Sequence, residues 1–334
     1  MKPLFRALWV EESPEGAFTR RVIERSLDDL PAGEVLVRVT YSSLNYKDAL
    51  SASGNRGVTR QYPHTPGIDA AGVVEDPGAT DFRPGEPVLV IATELGVSQP
   101  GGYSQMLRVP ADWLLRIPEG LTPRTAMAYG TAGFTAAMCV DRLLWEGVRP
   151  ESGEILVTGA TGGVGTMSTG ILAREGFHVV CATGKPHEAD LLRSLGASEI
   201  IHRDDLLKEG DRPLLHARWA GVVDTVGGMY ISSAIRASKS GGVVCATGNV
   251  ASPNLQLTVF PFILRGVNLI GIDATRPRME ERTRLWGKLG KEWALDVEQL
   301  ASTVREVDLE HLPAEIDRIL RGEQVGRVLV RVGD

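Results

Sequence analysis

Residues 155–176 read ILVTGATGGVGTMSTGILAREG, and this stretch decides the fold. A short apolar run ends in a glycine-rich turn and is followed at once by an amphipathic segment. The pattern predicts a strand, a tight turn and a helix. Glycines at positions 159, 162, 163 and 165 let the backbone come close to a ligand where a Cβ would obstruct it. Free N–H groups at the positive end of the helix would form an anion site suited to a pyrophosphate. The strict G-x-G-x-x-G spacing is absent, but the strand–turn–helix context still indicates a dinucleotide site.

The next predicted strand indicates which dinucleotide binds. The apolar run 178–182 predicts a neighbouring parallel strand, which in an NAD enzyme ends in an acid that binds the ribose 2′-hydroxyl. Here the strand ends in Thr183, Gly184 and Lys185, and Arg203 follows the third predicted strand. A hydroxyl, an open backbone and two cations suit a 2′-phosphate. We therefore predict NADPH as the cofactor. The alternative is that Lys185 and Arg203 are solvated surface cations.

Bulk properties are typical of a globular enzyme. The chain has 334 residues, of which 43% are apolar and 23% charged, so it is long enough for two domains. A net charge of −6 argues against a general nucleic-acid binder. No apolar stretch approaches the roughly 20 residues that span a bilayer, and the early acidic residues are unlike a signal peptide. Cys139, Cys181 and Cys245 are expected to be buried free thiols. We expect a cytoplasmic protein with no nucleic-acid or membrane partner.

The pattern along the chain predicts a nested domain. Residues 1–125 are rich in strand patterns bounded by turn residues, whereas helix and strand patterns alternate after position 130. Helical periodicity covers 131–145 and 278–294. Strand patterns recur at 155–158, 178–183, 199–202, 220–226, 241–247 and 267–273. Six such runs predict an α/β fold with a doubly wound parallel sheet, the Rossmann architecture. A last strand pattern, GRVLVRV at 326–332, is expected to return to the first domain.

Several segments resemble those of one family. They are SSLNYKDAL (42–50), PGIDAAG (66–72), GTAGFTA (130–136), TGATGGVG (158–165), LGAS (195–198), VDTVGG (223–228), TVFPFILRGVNLIGID (258–273) and GRVLV (326–330). The chain resembles the zinc-free medium-chain dehydrogenase/reductases of the quinone oxidoreductase type, and most closely the acryloyl-CoA reductase subgroup. The resemblance implies a GroES-like, β-rich catalytic domain at 1–128 and 275–334, split around a Rossmann NADP-binding domain at 129–274. It also implies a homodimer formed by antiparallel pairing of the last Rossmann strands, residues 267–273.

The same resemblance implies the positions of the site residues. Asn45 and Tyr46 would be the catalytic residues and would face the nicotinamide, and Tyr46 would contact the cofactor. The pyrophosphate would lie at Gly162, Gly163, Val164 and Gly165, and the adenosine phosphate at Thr183, Gly184, Lys185 and Arg203. Asn249, Ile263 and Ala274 match positions near the nicotinamide, and Arg321 is a further match in the loop before the final strand. The subgroup often has arginine at position 185, so lysine keeps the charge but loses the bidentate fork.

The chemistry of the first domain rests on Tyr46. Its hydroxyl could donate a hydrogen bond to a developing enolate. The alternative is a packed aromatic whose hydroxyl contacts a backbone carbonyl. Lys47 and Asp48 could form a local ion pair. No metal is predicted, because a catalytic zinc of the alcohol-dehydrogenase kind takes two cysteines and a histidine. The chain up to Tyr129 has no cysteine, and His64 is expected to be a loop residue.

Three functions are compatible with these residues. The first is NADPH-dependent reduction of the C=C bond of acryloyl-CoA to propanoyl-CoA, with hydride transferred to Cβ. The second is reduction of quinones or free enones by the same hydride donor. The third is an NADPH-binding protein without turnover. The polar loop at Asn45 and Tyr46 favours an enzyme. The sequence does not separate the first two, although a CoA substrate would need cations such as Arg56 and Arg60.

Overall fold

The computed structural model of this protein describes residues 4–210 and 212–333. The chain divides into two compact units. The first contains Met1–Thr131, Pro277–Lys291 and Val304–Asp334, and the second contains Ala132–Arg276 and Glu292–Thr303. Stretches that are far apart in the sequence therefore build the first unit.

The strands and helices are numbered in chain order. The strands are β1 (Leu4–Glu12), β2 (Phe18–Ser26), β3 (Val35–Leu44), β4 (Asp69–Asp76), β5 (Pro87–Ile91), β6 (Met106–Val109), β7 (Leu115–Arg116), β8 (Glu154–Thr158), β9 (Val179–Thr183), β10 (Glu199–His202), β11 (Trp219–Asp224), β12 (Ser238–Ala246), β13 (Asn268–Gly271), β14 (Val304–Asp308) and β15 (Arg327–Arg331). The helices are α1 (Tyr46–Ser51), α2 (Pro123–Trp145), α3 (Gly163–Arg174), α4 (Ala189–Ser194), α5 (Gly228–Arg236), α6 (Phe260–Arg265), α7 (Met279–Leu289), α8 (Val297–Ser302) and α9 (Leu312–Leu320).

The first unit is built on a seven-stranded sheet. The strand order is β14-β15-β3-β4-β5-β7, and β6 pairs with β3. Neighbours are antiparallel apart from β14 and β15, which run parallel. Val37 and Val39 of β3 pack in one core with Val328 and Val330 of β15. The last strand pattern of the chain thus returns to the first unit, as the sequence predicted.

The second unit contains a six-stranded parallel sheet in the order β10-β9-β8-β11-β12-β13. The chain runs outward from β8 in one direction and from β11 in the other, so the switch point lies between these two strands. Ile155, Leu156 and Val157 of β8 are all buried, as expected for a strand covered on both faces. The six strands are those the sequence indicated, and the predicted fold class, a Rossmann unit plus a β-rich unit, is confirmed.

Other elements differ from the sequence prediction. Helix α2 starts at Pro123 and is interrupted at Gly130, which has a non-helical φ of 52°. The helix expected at 278–294 ends at Leu289, and α8, β14 and α9 were not predicted. The segment Glu292–Thr303 groups with the second unit, although the sequence interpretation assigned it to the catalytic domain. There the Trp293 indole donates to Glu175 Oε1 at 2.5 Å.

Two further properties follow from the described residues. The three cysteines are buried and free, as predicted. Across residues 4–210 and 212–333, no helix combines the length and the apolar character needed to cross a membrane.

Replacing Gly170 with alanine is expected to destabilise the second unit. A Cβ there would stand 2.4 Å from Cδ2 of Leu295, and overpacking of this kind costs about 1–3 kcal/mol. Gly287 in α7 is the matched control, because a Cβ there meets no atom within 4 Å and alanine is the better helix former. Urea unfolding should give a lower midpoint for Gly170→Ala only. An unchanged midpoint would mean that Leu295 moves aside at no cost.

Candidate active site

The glycine-rich turn lies where the sequence placed it, between β8 and α3. Gly162 is the N-cap of α3, and Gly163, Val164 and Gly165 form the first turn of the helix. A Cβ at Gly165 would stand 2.4 Å from the carbonyl oxygen of Gly159, so only glycine lets the helix pack this closely on the turn. The first N–H groups of a helix have no partner within the helix and carry the positive end of its dipole. The turn therefore fits an anionic group such as a pyrophosphate.

A buried carboxylate fixes the turn to the next strand. Asp224, the last residue of β11, accepts a hydrogen bond from the Thr158 hydroxyl at 2.6 Å and from the Gly227 N–H at 2.8 Å. The Thr225 N–H donates to Thr158 Oγ1 at 3.1 Å. Burial raises the pKa of Asp224, and these hydrogen bonds oppose that rise. The loops that leave β8 and β11 are thus tied together at the switch point of the sheet.

The four residues predicted for the adenosine phosphate lie together. A Cβ at Gly184 would stand 3.0 Å from Nε of Arg203, so the guanidinium packs on the bare glycine backbone. Thr183 is buried, and its Oγ1 accepts from the Lys185 N–H at 3.0 Å and lies 3.0 Å from the Thr161 hydroxyl. The Thr183 hydroxyl therefore shapes the loop, whereas Gly184 and Arg203 are exposed and Lys185 is half-buried.

Asp204, an acid next to this group, was not predicted from the sequence. Asp204 Oδ1 accepts from the Tyr230 hydroxyl at 2.9 Å and lies 3.8 Å from Nε of Arg203. The Arg203 guanidinium also lies 6.0 Å from the centre of the Tyr230 ring. These contacts restrict the directions in which Arg203 can point.

The remaining cofactor positions fall at separate places. Asn249 follows β12 and is exposed, and Ala274 follows the neighbouring strand β13 and is half-buried. Ile263 is exposed on α6. These three belong to the second unit, whereas Arg321 belongs to the first. Arg321 ends α9 and forms two hydrogen bonds with the Glu323 carboxylate, at 3.0 and 2.9 Å, so its charge already has a partner.

The predicted catalytic pair stands where β3 passes into α1 in the first unit. Asn45 is the N-cap and Tyr46 the first helical residue. The Asn45 N–H donates to Asp48 Oδ2 at 2.8 Å, which closes a capping box. Tyr46 is 40% exposed, so its ring is not a packed core aromatic. The suggested ion pair of Lys47 with Asp48 is wrong, because Asp48 is buried and accepts from Asn45 and from the Ile68 N–H.

The Asn45 side chain points into the protein. Its Nδ2 donates to Asp69 Oδ2 at 2.8 Å and to Asp48 Oδ2 at 3.2 Å, and its Oδ1 accepts from Arg327 Nη1 at 3.2 Å. An amide has two N–H donors, and here both are used. Asn45 therefore has no donor left with which to polarise a substrate carbonyl.

Around Asn45 lies a buried cluster of charges that sequence reasoning missed. Asp69 is fully buried, and Arg327 is 2% exposed. Asp69 accepts from the Ser43 hydroxyl at 2.5 Å, from the Thr131 N–H at 2.9 Å and from the Thr131 hydroxyl. Arg327 Nη2 lies 3.8 Å from Asp69 Oδ2. The available signal was a charged residue at the start of each of two apolar strand patterns, because such a charge is buried only with partners.

The charges in this cluster perturb one another. Burial, and next the charge of Asp69, raise the pKa of Asp48 to about 7. Burial also lowers the pKa of Arg327, and the carboxylates oppose that shift. Gly130 lies against the cluster with φ of 52°, and a Cβ there would stand within 2.7 Å of Ser43 Oγ, Asp69 Oδ2 and Arg327 Nη2. The break in α2 at Gly130 is therefore needed to admit the cluster.

Comparison with known proteins gives the family. Residues 31–119 match the alcohol dehydrogenase GroES-like domain, and residues 163–291 match the zinc-binding dehydrogenases. Acrylyl-CoA reductase AcuI of Ruegeria pomeroyi is 44% identical over 330 residues, which cover 98% of this chain and 99% of AcuI. The chain belongs to the medium-chain dehydrogenase/reductase family. The quinone oxidoreductase-like protein YhfP of Bacillus subtilis is 42% identical over 333 residues, which cover 99% of this chain and 100% of YhfP.

Solved structures of this family agree with that assignment. Escherichia coli K-12 YhdH with bound NADPH has a TM-score of 0.94 and 39% identity, over 98% of this chain and 100% of YhdH. Bacillus subtilis YhfP with NAD bound has a TM-score of 0.95 and 41% identity, over 99% of this chain and 100% of YhfP. The predicted resemblance to the acryloyl-CoA reductase and quinone oxidoreductase branch of the medium-chain family is thus confirmed, and the chain is an oxidoreductase.

The residues of this family member do not fit a catalytic zinc. All three cysteines fall within the second unit. In the first unit, His64 is buried with its pKa lowered by that burial, and its backbone pairs with that of Val10. Among the described residues, potential metal ligands cluster only at Glu154, His178 and Glu199 in the second unit. There Arg218 donates to both glutamates, so the carboxylates already have a cation.

Of the two arginines considered for a CoA substrate, Arg56 already has partners within the protein. Arg56 forms an ion pair with Glu12 and donates to the Arg60 carbonyl oxygen at 2.8 Å. Its guanidinium lies 5.0 Å from the centre of the Tyr62 ring. Arg56 is therefore a fixed part of its loop, and Arg60 is exposed.

Asp48→Asn is expected to flatten the pH dependence of stability. The raised pKa means that the folded state binds more protons than the unfolded state between pH 3.8 and about 7. The stabilisation is complete below this window and is lost as the pH rises through it, at up to about 1.4 kcal/mol per pH unit for one proton. Asp69, Tyr103 and Arg327 are the charged or titratable groups that face Asp48.

The measurement is the free energy of unfolding of both proteins from about pH 4.5 to 8.5. The advantage of the wild type over Asp48→Asn should shrink as the pH rises. Parallel curves would mean that Asp48 does not retain a proton in the folded protein.

Proposed function

We propose that this protein is an NADPH-dependent reductase of activated C=C bonds, with acryloyl-CoA as substrate and propanoyl-CoA as product. The observation that carries the proposal is the 44% identity with acrylyl-CoA reductase AcuI over nearly the whole of both chains. The residues of the two units agree with it, since each offers one part of the required chemistry.

The second unit offers a cofactor site. Gly162, Gly163, Val164 and Gly165 would hold the pyrophosphate through backbone N–H groups. Gly184, Lys185 and Arg203 would hold the 2′-phosphate, and Thr183 would shape that loop. NADPH, when bound, would supply the hydride, and a proton from solvent or from an acid would complete the reduction at Cα. Asn249, Ile263, Ala274, Tyr46 and Arg321 complete the proposed set, and the last contributes least because Glu323 already engages it.

The first unit offers a hydrogen-bond donor for the substrate. The hydroxyl of Tyr46 can donate to the thioester oxygen, which gains negative charge in the reduction of a C=C bond conjugated to it. Such a donor stabilises the transition state more than the ground state. Asn45 supports Tyr46 and does not bind the substrate, because both of its amide hydrogens are donated to Asp48 and Asp69. No metal is part of the proposal.

A second candidate function is the reduction of quinones or free enones. It is favoured by the 42% identity with the quinone oxidoreductase-like YhfP over both full lengths. The same cofactor site and the same Tyr46 donor would serve it, because a quinone oxygen also gains negative charge on reduction. Substrate choice therefore depends on whether CoA itself is bound.

We further propose that the protein forms a homodimer through β13. This strand is at the edge of the parallel sheet, and an edge strand presents unpaired backbone groups to a second copy. The neighbouring residues Val259, Phe260 and Leu264 are large, apolar and exposed, and a second chain would cover such a group.

Lys185→Ala is expected to reduce the preference for NADPH. The wild type should bind NADPH at least tenfold more tightly than NADH, which corresponds to about 1.4 kcal/mol. The variant should lose about tenfold in NADPH affinity with little change for NADH. Lys208→Ala, which removes an exposed lysine paired with Asp205, is the control. Fluorescence titration measures both dissociation constants, and equal wild-type constants would exclude a 2′-phosphate site.

Tyr46→Phe is expected to lower kcat and kcat/KM together for acryloyl-CoA. Loss of one neutral hydrogen bond suggests a fall of roughly tenfold, and loss of a strong oxyanion donor one on the order of 100-fold. Tyr62→Phe is the control, since that hydroxyl donates to the Ser51 carbonyl oxygen, and it should leave kcat unchanged.

The same assay tests the substrate. NADPH oxidation is followed with acryloyl-CoA, crotonyl-CoA and 1,4-benzoquinone in parallel. The highest kcat/KM with acryloyl-CoA supports the first function. Turnover of benzoquinone alone would replace it with the second.

A further inference from the structure

The buried cluster beneath Asn45 contacts the chain immediately before Tyr46. The Leu44 carbonyl oxygen accepts from Arg327 Nη1 at 3.1 Å. The Asn45 N–H donates to Asp48, and the Asn45 side chain is engaged by Asp48, Asp69 and Arg327. The backbone and the side chain of the N-cap are therefore both held from the interior.

Arg327 is the residue that joins these contacts. Its Nε donates to the Ala128 carbonyl oxygen at 3.2 Å, and its Nη2 donates to Ser43 Oγ at 2.7 Å. The Ser43 hydroxyl in turn donates to Asp69. The planar guanidinium thus contacts β3, the N-cap of α1 and Ala128 of α2 at the same time. A lysine at 327 would keep the charge but could not make this fork.

The position of Tyr46 depends on this arrangement. Tyr46 is exposed, and its phenol stands at the end of a long side chain. If the backbone at Asn45 tilted by about 10–20°, the Tyr46 hydroxyl would move by more than the roughly 0.5 Å that a preorganised donor tolerates. The N-cap that sets this tilt is held by buried, charge-assisted hydrogen bonds, which are shorter and stronger than neutral ones.

We infer that Arg327 and Asp69 are positioning residues for the reaction, which act through Asn45 to fix the direction of the Tyr46 hydroxyl. This inference rests on the proposed function of Tyr46 as the donor to the substrate oxygen. It assigns no contact with substrate or cofactor to Arg327 or Asp69. Asn45 therefore acts as a support and Tyr46 as the donor, although the resemblance implied that both are catalytic.

The test compares two buried arginines of the same unit. Arg282 is also buried, and it donates to the carbonyl oxygens of Ile91, Ala92 and Pro277. Arg327→Lys and Arg282→Lys should therefore both lower the melting temperature. Only Arg327→Lys should lower kcat, by on the order of 10–100-fold, because misplacement of a catalytic group by about 1 Å has a cost of this size. NADPH affinity should change much less than kcat in either variant, because most of the proposed cofactor residues lie in the second unit.

A double variant tests whether Arg327 acts through Tyr46. If it does, Arg327→Lys added to Tyr46→Phe should cause no further loss of kcat, since the hydroxyl to be positioned is already gone. Losses that multiply would overturn the inference, and so would an equal loss of kcat in Arg282→Lys. If Arg327→Lys does not fold, Ser43→Ala removes one hydroxyl between Arg327 and Asp69 and should cause a smaller loss that Tyr46→Phe also masks.

A final measurement does not depend on turnover. The protein is labelled with 3-fluorotyrosine, and the ¹⁹F resonance of Tyr46 is assigned by its loss in Tyr46→Phe. In the substrate-free protein, Arg327→Lys should shift or broaden this resonance, whereas Arg282→Lys should not. An unaltered resonance in Arg327→Lys would refute the positioning role. Absence of NADPH oxidation by the wild type with every substrate would instead refute the proposed function.

Discussion

The first unit depends on one buried carboxylate. Asp69 is fully enclosed, and an enclosed charge is tolerated only with a counter-charge and several donors. The hydroxyl of Ser43, the amide of Asn45, the N–H and hydroxyl of Thr131 and the guanidinium of Arg327 meet this need. These groups come from β3, from the loop before α1, from α2 and from β15. Removing the charge would release contacts among all four elements.

The second unit uses a carboxylate in a comparable way. Asp224 fastens the glycine-rich turn after β8 to the loop after β11, as Asp69 and Asp48 fasten the loop after β3. In each unit the carboxylate lies behind a loop that carries proposed functional residues. Loops at the ends of strands are mobile by default, and precise chemistry requires them to be fixed. Buried acids thus hold these loops in place from the interior, and the outer faces of the loops stay available to ligands.

The sequence predicted the second unit better than the first. The turn at 155–176 and the six parallel strands were recognisable because apolar runs and glycines are local signals. The short elements α8, β14 and α9 were missed, since periodicity over five to nine residues does not distinguish a helix from a strand. The partners within the charged cluster could not be predicted, because 284 residues separate Ser43 from Arg327. The resemblance supplied Asn45 and Tyr46, but only the contacts show that the Asn45 amide points inward.

The same separation has a consequence for biosynthesis. A ribosome adds about 5–20 residues per second, so Arg327 is synthesised on the order of 15–60 s after Ser43. During this interval the Asp69 charge has no guanidinium partner, and β3 lacks its neighbour β15. The continuous stretch Ala132–Arg276 emerges within this period with its sheet strands complete. The nascent chain can therefore pair all six strands of the parallel sheet before the sheet of the first unit has received β14 and β15.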